Sequence, residues 1–348
     1  MISIKNILVV GTLVAFSNLL IACGNEPKLK HQIFVDSVKL GLDTTKVSPL
    51  KQAIQPLDTI KYNQKLISLA NGDTSGRWPV KRPYPLAGAI LPFKRVVAYY
   101  GNLYSKKMGI LGELPPNEML AKLDVEVKRW EKADPETPIQ PALHYIAVVA
   151  QGDPGKDGKY RYRMPDKQID SVLSIAKKRD AIVFLDIQVA LSDIHTELPL
   201  LEKYLKLPQV HLGIDPEFSM KTGVKPGTKI GTYDAADINF CSNYLAKLVR
   251  ENNLSPKIFV IHRFTKNMVT NSKSIKSHAE VQLVMHMDGW GEPDLKRGSY
   301  RYFIYMEPVQ FTGFKLFYKN DLKKAPHHMM TPDELMKLRP KPIYVQYQ

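Results

Sequence analysis

Asp215 and Glu217, separated only by Pro216, are the sharpest chemical feature of this 348-residue chain. They follow the apolar run Val210 to Ile214, and in an extended chain residues two apart share a face. Two carboxyls projected together repel, and with partial burial one of them is driven to a higher pKa and keeps its proton beside an ionised neighbour. Cleavage of a glycosidic bond uses that arrangement: one carboxyl protonates the leaving oxygen while a negative group stabilises or attacks the sugar cation. The plainer alternative is that Asp215 caps the following turn and Glu217 is a solvated loop acid.

Polar residues interrupt or end most of the other apolar runs. The first ends in Tyr99-Tyr100-Gly101-Asn102, the second holds His144 and ends at Gln151, and the third is broken by Asp186 and Gln188. The fifth ends in His262-Arg263, and the sixth in His286-Met287-Asp288-Gly289-Trp290. Glu307 follows the seventh, and Lys315 lies inside the eighth. The reading favoured here makes Glu217 the general acid, with Asp215 and Asp288 orienting substrate and stabilising the intermediate, and it calls for no cofactor. Tyr100, Asn102, Gln151, Asp186, Gln188, His262, Trp290 and Lys315 are then candidates for substrate binding, with Tyr99, Tyr100, Trp290 and Tyr305 as an aromatic wall for a sugar ring. A second geometry pairs Glu217 with Glu307 as acid and nucleophile, which requires the carboxyls ~5 Å apart. A metal-dependent hydrolase of an ester or phosphodiester would draw on Asp186, Asp215, His262, His286 and Asp288. No H-x-H or H-E-x-x-H spacing supports it, so no metal is assigned. A barrel that binds a ligand without catalysis is the third alternative.

These residues need a scaffold that gathers distant strand ends. Short β-rich runs alternate with helical patterns from residue 95 onward, the signature of parallel βα units. Eight runs can be counted: 95–100, 143–150, 181–189, 210–214, 257–262, 281–287, 300–305 and 313–317. Helical periodicity marks 116–132, 166–179, 198–205, 234–251 and 331–338. Eight strands with helices between most of them predict an α/β fold, a (β/α)₈ TIM-type barrel over 93–348, whose site sits at the carboxyl ends of the strands. The rival is an open doubly wound sheet, against which stands the lack of a Gly-rich phosphate loop after the first strand. Cys241 falls in an apolar helical stretch and reads as core.

Two resemblances add to this reading. Gly213 to Glu217 (G-I-D-P-E) is similar to the end of the strand-four acidic motif of chitinase-type glycosidases, and Met285 to Asp288 (M-H-M-D) resembles their strand-six motif. The resemblance implies that Glu217 is the general acid, that Asp215 orients the substrate's N-acetyl group and that Asp288 supports the same intermediate. Val210 and Gly213 stand where that family has aspartates, Met287 replaces its tyrosine, and its strand-three S-x-G-G is missing. The stretches 99–113, L-G-I-D-P-E-F and M-H-M-D-G-W-G also resemble secreted bacterial proteins without an assigned activity.

The amino terminus indicates a compartment. Lys5 precedes an almost unbroken apolar run from Ile7 to Phe16, followed by Leu20-Ile21-Ala22-Cys23. This L-I-A-C looks like the lipobox of bacterial lipoproteins, which implies a signal peptide over 1–22, acylation of Cys23 and attachment to a bilayer in the bacterial cell envelope. The run is short for a membrane span of ~20 residues. Residues 23–92, rich in Lys, Thr, Pro and Asn, read as a tether and lead-in with a short helix near Thr59 to Ala70. A net charge of +15 admits an anionic partner. No arginine-rich stripe interleaved with aromatics accompanies it, so nucleic acid is not expected, and the partner at the barrel mouth is a glycan or another small ligand.

Overall fold

Alternation along the strands decides the architecture. In the computed structural model, which describes residues 55–348, eight strands run parallel: β1 (Arg95–Gly101), β2 (Ile139–Ala150), β3 (Ile182–Ile187), β4 (Val210–Ile214), β5 (Lys257–Arg263), β6 (Val281–Met287), β7 (Phe311–Leu316) and β8 (Tyr344–Tyr347). Each pairs with its sequence neighbour, β8 pairs with β1, and β1 pairs with β2, so the sheet has no free edge. The protein is a (β/α)₈ barrel, and this closure excludes the open doubly wound sheet.

On each strand one set of alternate residues faces the helices and the other faces the axis. Val97, Tyr99, Leu143 and Tyr145 pack outward in the same apolar cluster as Leu120, Leu123 and Trp130 of helix α2 (Pro116–Ala133). Val96, Ala98, Ala142, Phe184, Val260 and Val284 fill the lower barrel interior. Continuing upward on the same inward faces, the chain places Tyr100, His144, Asp186, Asp215, His262, His286 and Lys315, all buried. The sequence therefore changes from apolar to polar partway up the axis, and the polar half is the carboxyl end.

The amino end is closed by residues that composition alone marks as a lead-in. The helix expected at Thr59–Ala70, α1, is capped by Asp58 and buries Tyr62 and Ala70. Tyr62 and Leu91 join the interior cluster, with Leu57, Leu66, Leu69 and Phe93 packed against it. The Gln282 amide locks this plug by accepting from the Ile90 and Leu91 amides and donating to the Leu91 carbonyl. Helix α1 and the segment around Leu91 thus form the barrel's floor. Cys23 and the signal-like segment lie outside the described residues, among which no helix is long and apolar enough to cross a membrane.

Further out, helices α3 (Asp166–Lys177) and α4 (Ala235–Glu251) follow the expected periodicity, α4 being started by a capping box between Asp234 and Asp237. Cys241 is fully buried on α4. The expected helix 198–205 is a 3₁₀ turn followed by one α turn. One expected strand is overturned: Tyr300–Tyr305, though aromatic and β-rich, continues helix α5 (Pro293–Tyr300) as a π turn. Glu292 caps that helix and Pro293 opens it, and within 300–305 Tyr300 and Ile304, four apart on a helix, are buried while Tyr302 is 65% exposed. The run containing Lys315 is consequently β7. β8 is the four-residue segment Tyr344–Tyr347, which follows Pro340 and Pro342 and shows no long apolar run.

Candidate active site

The mouth holds a cavity of about 550 Å³ whose wall includes Tyr100, Gln188, Asp215, Glu217, Asp288 and Lys315. Five barrel strands or the residues directly after them supply these six side chains. Asp215 leaves β4 and caps the short 3₁₀ turn Pro216–Phe218, its Oδ1 accepting from the Glu217 amide at 3.1 Å. Its Oδ2 accepts from Gln188 Nε2 at 3.2 Å. Asp215 thus does cap a turn, as the plainer reading holds, and it does so while facing the cavity. Tyr100 donates its hydroxyl to Asp186 Oδ2 at 2.8 Å and stands under the Lys315 ammonium, which is 3.8 Å from the ring centre.

Asp288 is gripped from two sides. Its Oδ1 lies 2.8 Å from Lys315 Nζ, and its Oδ2 is 2.7 Å from His262 Nδ1. Burial alone would raise its pKa, but the Lys315 ammonium and His262 outweigh burial and hold the carboxyl far below the usual range. The opposite holds for its neighbours. Burial, reinforced by the negative Asp288, pushes Glu217 up to about 7, although Lys315 and His262 pull the other way. Burial also drives Asp215 well above the ordinary carboxyl value, with Glu217 and Asp288 adding to it against His262. The mouth thus presents two carboxyls of raised pKa, of which Glu217 can keep a proton near neutrality, beside one that stays ionised.

Several expected site residues lie elsewhere. Asn102 is buried, donating to the Ile146 carbonyl and accepting from the Tyr104 amide, so it shapes the turn after β1. Gln151 reaches the Asp153 carbonyl in a surface loop. Asp186 and His262 have no exposure and lie below the cavity wall. Glu307 lines a different cavity, where it meets Arg263 Nη1 at 2.8 Å and Ser272 Oγ at 2.7 Å. The Glu217–Glu307 pair therefore does not form, because residues 300–305 are helical and carry Glu307 away from the axis. Of the aromatic wall, Tyr100 and Trp290 reach the mouth cavity. Tyr99 faces outward to Tyr318, and Tyr305 bonds Asp73.

The cavity also takes residues that the sequence did not single out. Phe218, Phe264 and Phe317 line it with Trp290, itself 47% exposed. Lys296 reaches its wall, yet its ammonium is spent on Asp321 Oδ2 at 2.5 Å and the Lys315 carbonyl at 2.7 Å. The signal for the phenylalanines was parity: Phe264 and Phe317 sit two residues beyond the inward His262 and Lys315.

No family model matches the chain, and no curated protein matches it. Solved structures to which it is similar include the GH5-4 broad-specificity endoglucanase from Clostridium longisporum, 11% identical over 64% of this chain and 75% of its own, with a TM-score of 0.36. Dihydropteroate synthase from Burkholderia cenocepacia, solved with 7,8-dihydropteroate, is 9% identical over 77% of this chain and 92% of its own, with a TM-score of 0.33. Neither likeness bears on the chemistry of the mouth.

Proposed function

We propose that the barrel is a glycoside hydrolase that works by carboxyl acid catalysis at its mouth. One observation carries this reading: Glu217, pushed up to about 7, shares a cavity with Asp288, which Lys315 and His262 keep ionised. A proton donor needs a pKa near the working pH, and a developing sugar cation needs a fixed negative charge. Glu217 gives its proton to the glycosidic oxygen as the bond to the anomeric carbon breaks. Asp288 offsets the positive charge on the ring, and Asp215, steadied by Gln188, orients the substrate. Water then adds to the anomeric carbon and returns a proton to Glu217. Trp290 and the three phenylalanines give apolar faces on which sugar rings stack.

The acylated Cys23 belongs to the same proposal, as the tether that holds the enzyme in a bacterial envelope. Replacing Cys23 by Ser then abolishes incorporation of labelled palmitate in a bacterial host. For the catalytic reading, the purified chain is tested on a panel of envelope and environmental glycans for release of reducing ends. Hydrolysis of at least one glycan is expected, lost in Glu217→Gln with an unchanged circular dichroism spectrum. A panel without any turnover, or turnover that survives Glu217→Gln, contradicts the proposal.

A further inference from the structure

Beneath the mouth, three fully buried side chains aim unpartnered atoms at one another. His144 on β2, Asp186 on β3 and His262 on β5 have no exposure. His144 Nε2 lies 3.5 Å from Asp186 Oδ1, and His262 Nε2 lies 3.7 Å from the same oxygen. None of these three atoms has a hydrogen-bond partner. Leaving buried polar atoms unsatisfied costs free energy, so a site that does so three times over invites a ligand. Around a tetrahedral ion with bonds of ~2.0–2.1 Å, ligand atoms lie ~3.3 Å apart, so the spacing here needs only a small inward movement to close on one.

The outer atoms of the trio are already anchored, as ligands of an ion generally are. Asp186 Oδ2 accepts from the Tyr100 hydroxyl at 2.8 Å. His262 Nδ1 faces Asp288 Oδ2 at 2.7 Å; with a proton kept on that side, Nε2 gives up its own proton as the ion binds. His144 Nδ1 lies 2.6 Å from the Tyr344 hydroxyl, and turning the Gln346 amide over lets its unpartnered Oε1 accept from that hydroxyl. His144 Nδ1 then donates and its Nε2 is free as well.

Gly213 on β4 leaves the necessary space. A Cβ there would stand 2.3 Å from His144 Nε2 and 2.6 Å from Asp186 Oδ1, in clash with both ligand atoms, so any larger residue would push the trio apart. Its backbone does not occupy the left-handed region, so glycine is required here for room and not for conformation.

We propose that His144 Nε2, Asp186 Oδ1 and His262 Nε2 bind one divalent transition-metal ion of the zinc class. Two imidazoles and one carboxylate suit such an ion. None of the three lines the mouth cavity, so the ion sits beneath it with its fourth position left to water: it joins β2, β3 and β5 and, through His262, steadies Asp288. The inference does not depend on the glycosidase reading.

The test uses the purified full chain, stripped with a chelator and dialysed, then titrated with Co²⁺ while visible d–d absorption is followed. One equivalent is expected to saturate the bands, and Zn²⁺ to displace it. Gly213→Ala, which alters no titratable group, and Asp186→Asn are each expected to weaken binding at least about 100-fold, and Tyr100→Phe, the mildest change, about ten-fold. Tyr100→Phe decides the matter if the first two fail to fold. Absence of saturable absorption in the parent protein overturns the proposal, as does undiminished affinity in the folded variants. Binding lost in His286→Ala but kept in Asp186→Asn assigns the ion to the neighbouring trio of His262, His286 and Asp288 and also overturns it.

Discussion

Glu217 and Glu307 are the same residue type in two cavities of similar size, and their surroundings give them opposite tendencies. Glu307 accepts from Ser272 and pairs with Arg263, a guanidinium with no exposure, so its pKa is lowered even though burial works against this. Glu217 has no ion pair of its own among the described residues. Burial and the ionised Asp288 raise it to about 7. A glutamate beside a buried arginine is a structural anion, while one beside a buried aspartate and short of a partner is a proton donor in waiting. The comparison thus separates two residues that were both candidate catalytic carboxyls in the sequence, Glu217 in the favoured reading and Glu307 in the second geometry.

The most forceful way to break the comparison is to remove each carboxyl in turn. Glu217→Gln should cut kcat on any cleaved glycan by about 10²- to 10⁴-fold, the usual share of a general acid, while Glu307→Gln leaves kcat within about two-fold. Steady-state kinetics on both variants check this. Equal losses would mean the cavities are not distinct in function.

Stability should respond in the reverse order. Glu307→Ala leaves the buried Arg263 charge with backbone carbonyls as its only partners and is expected to cost about 3 kcal/mol, at the low end for a broken buried pair because those carbonyls remain and Glu307 keeps a quarter of its surface. Denaturant unfolding measures it. Glu217→Gln, by contrast, should leave stability unchanged at low pH and raise it at neutral pH.

That last difference follows from linkage. A carboxyl raised from 4.5 to about 7 binds more protons folded than unfolded between those values, so its presence lowers stability as pH climbs through that window. The loss should reach on the order of 2 kcal/mol, less than the full shift implies because Glu217 is only partly buried, and it should disappear in Glu217→Gln. Glu307 has the opposite sign: its contribution is present above the ordinary carboxyl range and lost as pH falls through its lowered value. Unfolding midpoints from about pH 2 to 8 for the parent and both variants separate the two slopes, that of Glu307 below its ordinary value and that of Glu217 above it. The smallest expected effect is that of Trp290→Ala, roughly a ten-fold rise in KM from a lost stacking face, with kcat and stability little changed.

Much of this arrangement is readable from the chain because strand parity is a strong signal. Asp186 and Gln188, Asp215 and Glu217, and His286 and Asp288 each share a face by spacing alone, and that face proved to be the interior. Parity does not reveal depth. Asp186 and His262 point inward yet lie one layer too low to touch the mouth. Nor does β-rich composition distinguish a strand from a helix that happens to carry aromatics, which is why Tyr300–Tyr305 misled and took Glu307 with it. The four residues of β8 were too short and too close to prolines to register, although Tyr344, Gln346 and Gln348 alternate inward. The floor formed by α1 and Leu91 depends on contacts more than 190 residues apart in sequence, such as Gln282 to Leu91, which no local pattern encodes.

The proposed chemistry turns on a single proton. Carbon-13 labelling of glutamate side chains, followed by nuclear magnetic resonance across pH 3 to 9, reports each carboxyl directly, with Glu217→Gln identifying the resonance. One glutamate is expected to titrate at about 7 and to vanish in that variant. If Glu217 titrates with the exposed glutamates in the ordinary range near ~4.3, the donor at the mouth does not exist and the proposed chemistry fails with it.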